Sequence, residues 1–165
     1  MEYNISDIAN ILGVKCLQSP QLTVSQLLTD SRDLTYPQDS LFFAITTSTG
    51  DGHRYISDLY AKGVRNFVVT GIPQDAKGLK DCNFLVVDNV MESLHKLAAH
   101  HRQMFDIPVI AITGSRGKTT VKEWLNQLLR DDYSIARSPR SYNSQIGVPL
   151  SIWAVSYTHL RAHET

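Results

Sequence analysis

The sequence predicts an α/β chain in which one small domain is followed by the start of a second, parallel-sheet domain. Three observations predict it. Short apolar runs of strand length alternate with one-sided helical segments. Asp106-Ile107-Pro108 breaks the chain, because proline restricts the residue before it. Beyond the break, Val109-Ile110-Ala111-Ile112-Thr113 is a continuous apolar run that leads directly into a glycine loop and an amphipathic helix.

Ser6 is placed to cap a short helix through Ile5, Ile8, Ile11 and Leu12, with Gly13 as its stop. A polar stretch follows, then the strand-length run Leu41-Phe42-Phe43-Ala44-Ile45. Residues Thr46 to Arg54, rich in turn formers, read as a loop. Tyr55 to Lys62 reads as a helix closed by Gly63. Asn66 to Thr70 and Asn83 to Val87 read as two further strands. Asp88 or Asn89 then caps a helix to about Met104. After Pro108 come the apolar strand Val109–Thr113 and a helix from about Lys118 to Arg130. Val121, Trp124, Leu125, Leu128 and Leu129 form its apolar stripe, and Trp124 is expected in the core. These breaks predict domains at 1–106 and 107–153, with 154–165 set apart.

Composition narrows the function classes. Sixteen basic and sixteen acidic side chains cancel, which argues against nucleic-acid or membrane partners. Cys16 and Cys82 lack metal-like spacing and fit idle thiols in a reducing cytosol. Met1-Glu2-Tyr3-Asn4 has neither the basic flank nor the apolar core of a signal peptide, and no apolar run approaches the ~20 residues of a membrane span. A cytoplasmic protein with no obligate protein partner is expected. His95, His100 and His101 share one helix without ligand-like spacing and are expected in packing or at the surface.

The strongest chemical signal is Thr113-Gly114-Ser115-Arg116-Gly117-Lys118-Thr119-Thr120. Strand, glycine loop, Lys-Thr and amphipathic helix is the order a phosphate loop needs. Its glycines let backbone N–H groups turn onto phosphates, and the helix N-terminus adds partial positive charge. Lys118 is expected to reach the β- and γ-phosphates of ATP, and the Thr119 hydroxyl to hold Mg²⁺. The longer pattern G-x-x-x-x-G-K-[ST] would need glycine where Ile112 stands, so this is the shorter G-x-x-G-K-T form. Arg116 within it reads equally as an exposed side chain.

Ala111 to Thr120 resembles the ATP loop of the Mur ligase family. Thr29-Asp30-Ser31-Arg32, Asp39-Ser40-Leu41-Phe42-Phe43-Ala44 and Asp51-Gly52-His53-Arg54-Tyr55-Ile56 resemble that family's N-terminal uridine-nucleotide domain. Ser141-Tyr142-Asn143-Ser144-Gln145-Ile146-Gly147-Val148-Pro149-Leu150 is similar to the N-N-x-x-G-V-P segment of its dipeptide-adding members, with Ser144 replacing the more usual second Asn. The wording at Leu27–Arg32 and Gly63–Phe67 looks most like the form fused to an alanine racemase. The resemblance covers about residues 1 to 153.

It implies an ATP- and Mg²⁺-dependent ligase that joins D-alanyl-D-alanine to UDP-N-acetylmuramoyl-tripeptide through an acyl phosphate, with Lys118 as the catalytic cation. Asp30, Ser31, Arg32, Asp51, Gly52, His53 and Asn143 would then bind substrate. Read as residues alone, each stays open. Arg32 suits a diphosphate or carboxylate but also an ion pair with Asp30 or Asp33. Asp30 and Ser31 suit a capping turn, His53 a solvated loop, and Asn143 a turn. The family's C-terminal domain and second metal ligand are not in the sequence, so the piece alone is expected to show no turnover. Val155 onward departs from the family pattern and resembles translated adapter sequence, a non-native tail. Other readings are a third-residue-adding or folate polyglutamylating relative, or a non-catalytic nucleotide-binding module.

Overall fold

The computed structural model describes residues 1–15, 18–48, 50–138 and 144–155, so Cys16, Asn143 and most of the tail lie outside the described residues. The chain divides into two compact units, Met1–His100 and His101 onward. None of the described helices is long and apolar enough to cross a membrane.

In the first unit, β1 (Tyr3–Asn4), α1 (Ile5–Leu12) and β2 (Thr23–Val24) precede the main sheet, with β1 and β2 antiparallel. Helix α1 buries Ile5, Ile8, Ala9 and Leu12 and ends at Gly13, whose φ of 76° closes the last turn onto the Ala9 and Asn10 carbonyls. The expected Ser6 cap is not formed. Asn4 takes the N-cap position, and the Ser6 hydroxyl donates instead to the Pro20 carbonyl at 3.1 Å, tying the helix to the following loop.

The main sheet is parallel, in the order β3 (Gln26–Leu28), β4 (Ser40–Phe43), β7 (Asn66–Val69), β8 (Asn83–Val86). Its register aligns Leu28, Phe42, Phe67 and Phe84 in one row across all four strands. Phe67 stacks on Phe84 at 5.4 Å and meets Phe42 edge-on at 6.5 Å. Ile56 and Leu59 of α2 (Ile56–Ala61), with Ala44, Val64 and Val69, complete this core. At the amino edge, Asn83 is wholly buried but fully used. Its oxygen accepts from the Gln18 and Ser19 N–H groups, and its amide donates to the Ser19 carbonyl and to Asn66.

The segment expected as a loop after β4 contains a small hairpin, β5 (Thr46–Thr47) with β6 (Gly50–Asp51), followed by a 3-10 turn over Gly52–Tyr55. Helix α3 (Val90–Gln103) starts on Asn89, whose side-chain oxygen accepts from Met91 and Glu92 N–H while its amide donates to the Glu92 carboxylate.

The second unit holds the last residues of α3, then α4 (Lys118–Leu129) and α5 (Gly147–Trp153). Val109–Thr113 is not a strand, contrary to its apolar run. A strand is held by a neighbour's ladder, and the described residues of this unit contain no strand to pair with it. Val109 and Ile110 are exposed, as is Trp124 at 62%, so the expected core role of Trp124 is not met among these residues. The α4 stripe is present but buries no residue. His101 is buried, its ring 4.7 Å from Trp153 and 5.1 Å from Phe105, with Nε2 2.9 Å from the Val155 carbonyl oxygen. Ser144 accepts from the Gly147 N–H at 2.9 Å at the start of α5.

Candidate functional site

Parallel strands point all their carboxyl ends to one edge of the sheet, where the loops that follow them collect, and ligands of open α/β sheets bind at that edge. Asp30, Ser31 and Arg32 follow β3. Asp51, Gly52 and His53 follow β4 through the hairpin. Thr70 follows β7. The fold therefore brings the two sequence-predicted triplets of this unit to the same edge.

The triplets share one local design. Asp30 caps the 3-10 turn Ser31–Asp33 by accepting from the Arg32 N–H at 3.0 Å. The Arg32 guanidinium returns to the same carboxylate, Nε at 2.9 Å from Oδ1 and Nη2 at 2.5 Å from Oδ2. These hydrogen bonds pull the Asp30 carboxyl down to about 2 and raise the Arg32 guanidinium further. The stabilisation from this depressed carboxyl is complete above the ordinary carboxylate range and is lost as the pH falls towards 2. The capping-turn and ion-pair readings of these residues are both realised. Arg32 nevertheless keeps 86% of its side-chain surface exposed, so most of its fork faces solvent.

Asp51 likewise caps Gly52–Tyr55, accepting from the His53 N–H at 3.0 Å, the His53 ring at 2.6 Å and the Thr46 hydroxyl at 3.0 Å. The backbone bond from His53, then the ring, lowers the Asp51 carboxyl. On its far side, His53 Nε2 accepts the Thr70 N–H at 3.1 Å. That bond needs a lone pair on Nε2, which places the ring proton on Nδ1, donated to Asp51. His53 is thus not a solvated loop residue. Both ring nitrogens bind the two loops together, and its side chain is 12% exposed.

Gly52 is required by contact. A Cβ there would lie 2.8 Å from the Ile45 nitrogen and 2.9 Å from Ala44 backbone atoms, none of which is a flexible side-chain end. Gly52→Ala is expected to destabilise the first unit by about 1–3 kcal/mol, read as a lower urea midpoint at unchanged slope. An unchanged midpoint would show that the turn relaxes freely.

In the second unit, the glycine loop runs through Gly114 (φ 142°) and Gly117 (φ 79°) into α4. Both glycines hold conformations that side chains rarely adopt. Gly117 is the N-cap, and among the described residues no side chain caps the helix. An uncapped helix N-terminus presents N–H groups and partial positive charge to an anion. Lys118 donates its ammonium to the Gly114 carbonyl, so its charge already sits in the mouth of the turn. Thr113, Ser115, Arg116, Thr119 and Thr120 are exposed around it.

A G-x-x-G-K-T turn at the start of a helix is the sequence and local geometry of a phosphate loop. Comparison with known proteins narrows this. Residues 112–162 match the Mur ligase middle domain, a match that runs past Trp153. A UDP-N-acetylmuramoyl-tripeptide–D-alanyl-D-alanine ligase of Synechocystis sp. is 35% identical over 141 residues, covering 86% of this chain and 30% of the relative. The crystal structure of MurF from Acinetobacter baumannii superposes with a TM-score of 0.83 at 27% identity, covering 94% of this chain and 34% of that one. MurF ligase of Thermotoga maritima, solved in complex with ADP, superposes with a TM-score of 0.66 at 27% identity, covering 78% of this chain and 28% of its own. Residues 112–162 are a Mur ligase middle-domain segment, and the chain is similar to these ligases over most of its length. It spans about a third of the length of these relatives.

Proposed function

We propose that this chain supplies the uridine-nucleotide and ATP-phosphate sites of an ATP-dependent ligase that adds D-alanyl-D-alanine to UDP-N-acetylmuramoyl-tripeptide in peptidoglycan synthesis, in the cytoplasm. Residues 1–106 form the uridine-nucleotide domain and 107–153 the beginning of the ATP domain. The observation that carries this reading is the start of α4, an uncapped 12-residue helix entered through a left-handed glycine with a lysine folded into the turn. The names of the relatives supply the substrates.

In this reaction the γ-phosphoryl group of ATP passes to the terminal carboxylate of the tripeptide, and ADP leaves. The dipeptide amine then attacks the acyl carbon, the C–O bond to phosphate breaks, and the amine proton is lost. Lys118 offsets charge on the phosphoryl oxygens, and the backbone of Gly114–Gly117 orients them. Thr119 contributes one hydroxyl oxygen at the helix start. This donor set fits Mg²⁺, which takes one or two protein oxygens and completes its shell from phosphate and water. When bound, the ion would neutralise charge between the phosphates. Arg32 and the loops after β3, β4 and β7 hold the nucleotide end of the acceptor, away from the chemistry. Asn143 is assigned to the acceptor by resemblance alone.

Calorimetric titration tests the ATP site. Lys118→Ala is expected to weaken MgATP binding about tenfold and leave UDP binding unchanged. Equal MgATP affinity in the two proteins would remove the loop from the site.

A further inference from the structure

Tyr55 is not among the substrate-binding residues that the resemblance implies, yet it is an exposed aromatic on a firmly held turn at the carboxyl edge. Tyr55 is 43% exposed, while the next residue, Ile56, is wholly buried in the core. The short turn that carries it is fixed at Asp51, Gly52 and His53. Asp51 caps it, Gly52 sits against the Ala44–Ile45 backbone with no room for a Cβ, and His53 is bonded on both sides, to Asp51 and to Thr70. The Ile56 N–H closes the turn on the His53 carbonyl. A tyrosine on such a support has little backbone freedom left to lose when a ligand lands on it. Its two side-chain torsions add only a small further loss.

The surroundings define the ligand. Arg32, in the loop after β3 at the same edge, projects a largely exposed fork. A flat apolar ring beside a permanent cation is the pairing that suits a nucleobase attached to a diphosphate. The ring stacks on the base and the cation meets the phosphates.

We propose that Tyr55 is the base-stacking residue of the uridine-nucleotide site, a rigid aromatic ledge that distinguishes a nucleoside diphosphate from a bare diphosphate. The inference rests on the proposed assignment of the first unit to the uridine nucleotide. Stacking uses only the π-face, so the phenolic hydroxyl is dispensable and the contact favours a base without selecting uracil over other bases.

The test is calorimetric titration of the whole chain with UDP and, separately, with inorganic pyrophosphate. Tyr55→Ala is expected to weaken UDP about tenfold and leave pyrophosphate unchanged, while Tyr55→Phe binds UDP as the parent does. Arg32→Ala is expected to weaken both ligands. If Tyr55→Ala leaves UDP affinity unchanged while Arg32→Ala lowers it, stacking is overturned and the site assignment stands. If Tyr55→Ala weakens UDP and pyrophosphate alike, the ring acts by placing Arg32, and stacking is again overturned. If neither variant changes UDP affinity, the assignment of the site itself fails. Thermal melting of each variant confirms a folded chain, and Tyr55→Phe serves as the second variant should Tyr55→Ala melt early.

Discussion

Phe67→Ala is expected to lower the stability of the first unit by about 3–5 kcal/mol. Phe67 is wholly buried at the centre of the row Leu28, Phe42, Phe67, Phe84, with one aromatic neighbour stacked on it and the other edge-on. Truncation removes the transfer free energy of the ring and leaves a cavity on the sheet face between Phe42 and Phe84, whose spacing is fixed by the backbone ladders. The walls have little room to close. Domains of this size hold only about 5–15 kcal/mol in total, so the loss removes a large share of the unit's stability. Urea denaturation followed by far-UV circular dichroism reads the effect. Phe67→Leu, which refills much of the volume, should recover over half of it. A loss under about 1 kcal/mol for Phe67→Ala would show that the row is not the centre of the core.

The three phenylalanines of that row were visible in the sequence within three separate apolar runs, since buried parallel strands are apolar on both faces and need no alternation. Helix ends were visible for the same local reason. Gly13 and Asn89 act within one turn of the helices they close, so a few adjacent residues carry the information. What could not be read depends on distant partners. β3 is three residues, Gln26–Leu28, and exists because β4 lies beside it in register. The opposite case is Val109–Thr113, where the composition of a strand is present and a pairing strand among the described residues is not.

The site shows the same division. The glycine loop was legible because its chemistry is local, two glycines and a lysine at one helix start. His53 was not, because the partner that decides its role, Thr70, is seventeen residues away in sequence. The resemblance assigns His53 to the substrate, and the fold shows its two ring nitrogens bonded to Asp51 and Thr70 in two loops. Tyr55 was missed for the converse reason. Its signal, an aromatic two residues after Asp-Gly-His, becomes informative only once Ile56 is seen buried and Tyr55 is not.

Arg32→Ala is expected to weaken UDP binding by about one to two decades. Arg32 offers a planar, permanently charged fork at the carboxyl edge, and Asp30 engages Nε and Nη2 on one side of that fork. Held so, the guanidinium meets a diphosphate with less rotamer freedom to lose than an unbraced arginine. Arg32→Lys retains charge but loses the fork and the double contact with Asp30, so it should recover only part of the affinity. Asp30→Asn keeps the capping acceptor for the Arg32 N–H but weakens the hold on its side chain, and should cost less than Arg32→Ala. The ordering parent, Asp30→Asn, Arg32→Lys, Arg32→Ala follows from bidentate recognition. A simple screening charge would make Arg32→Lys equal to the parent, and an arginine committed wholly to Asp30 would make Arg32→Ala equal to it. Titrating UDP at low ionic strength into the four proteins separates the three cases, because the exposed guanidinium is least screened there.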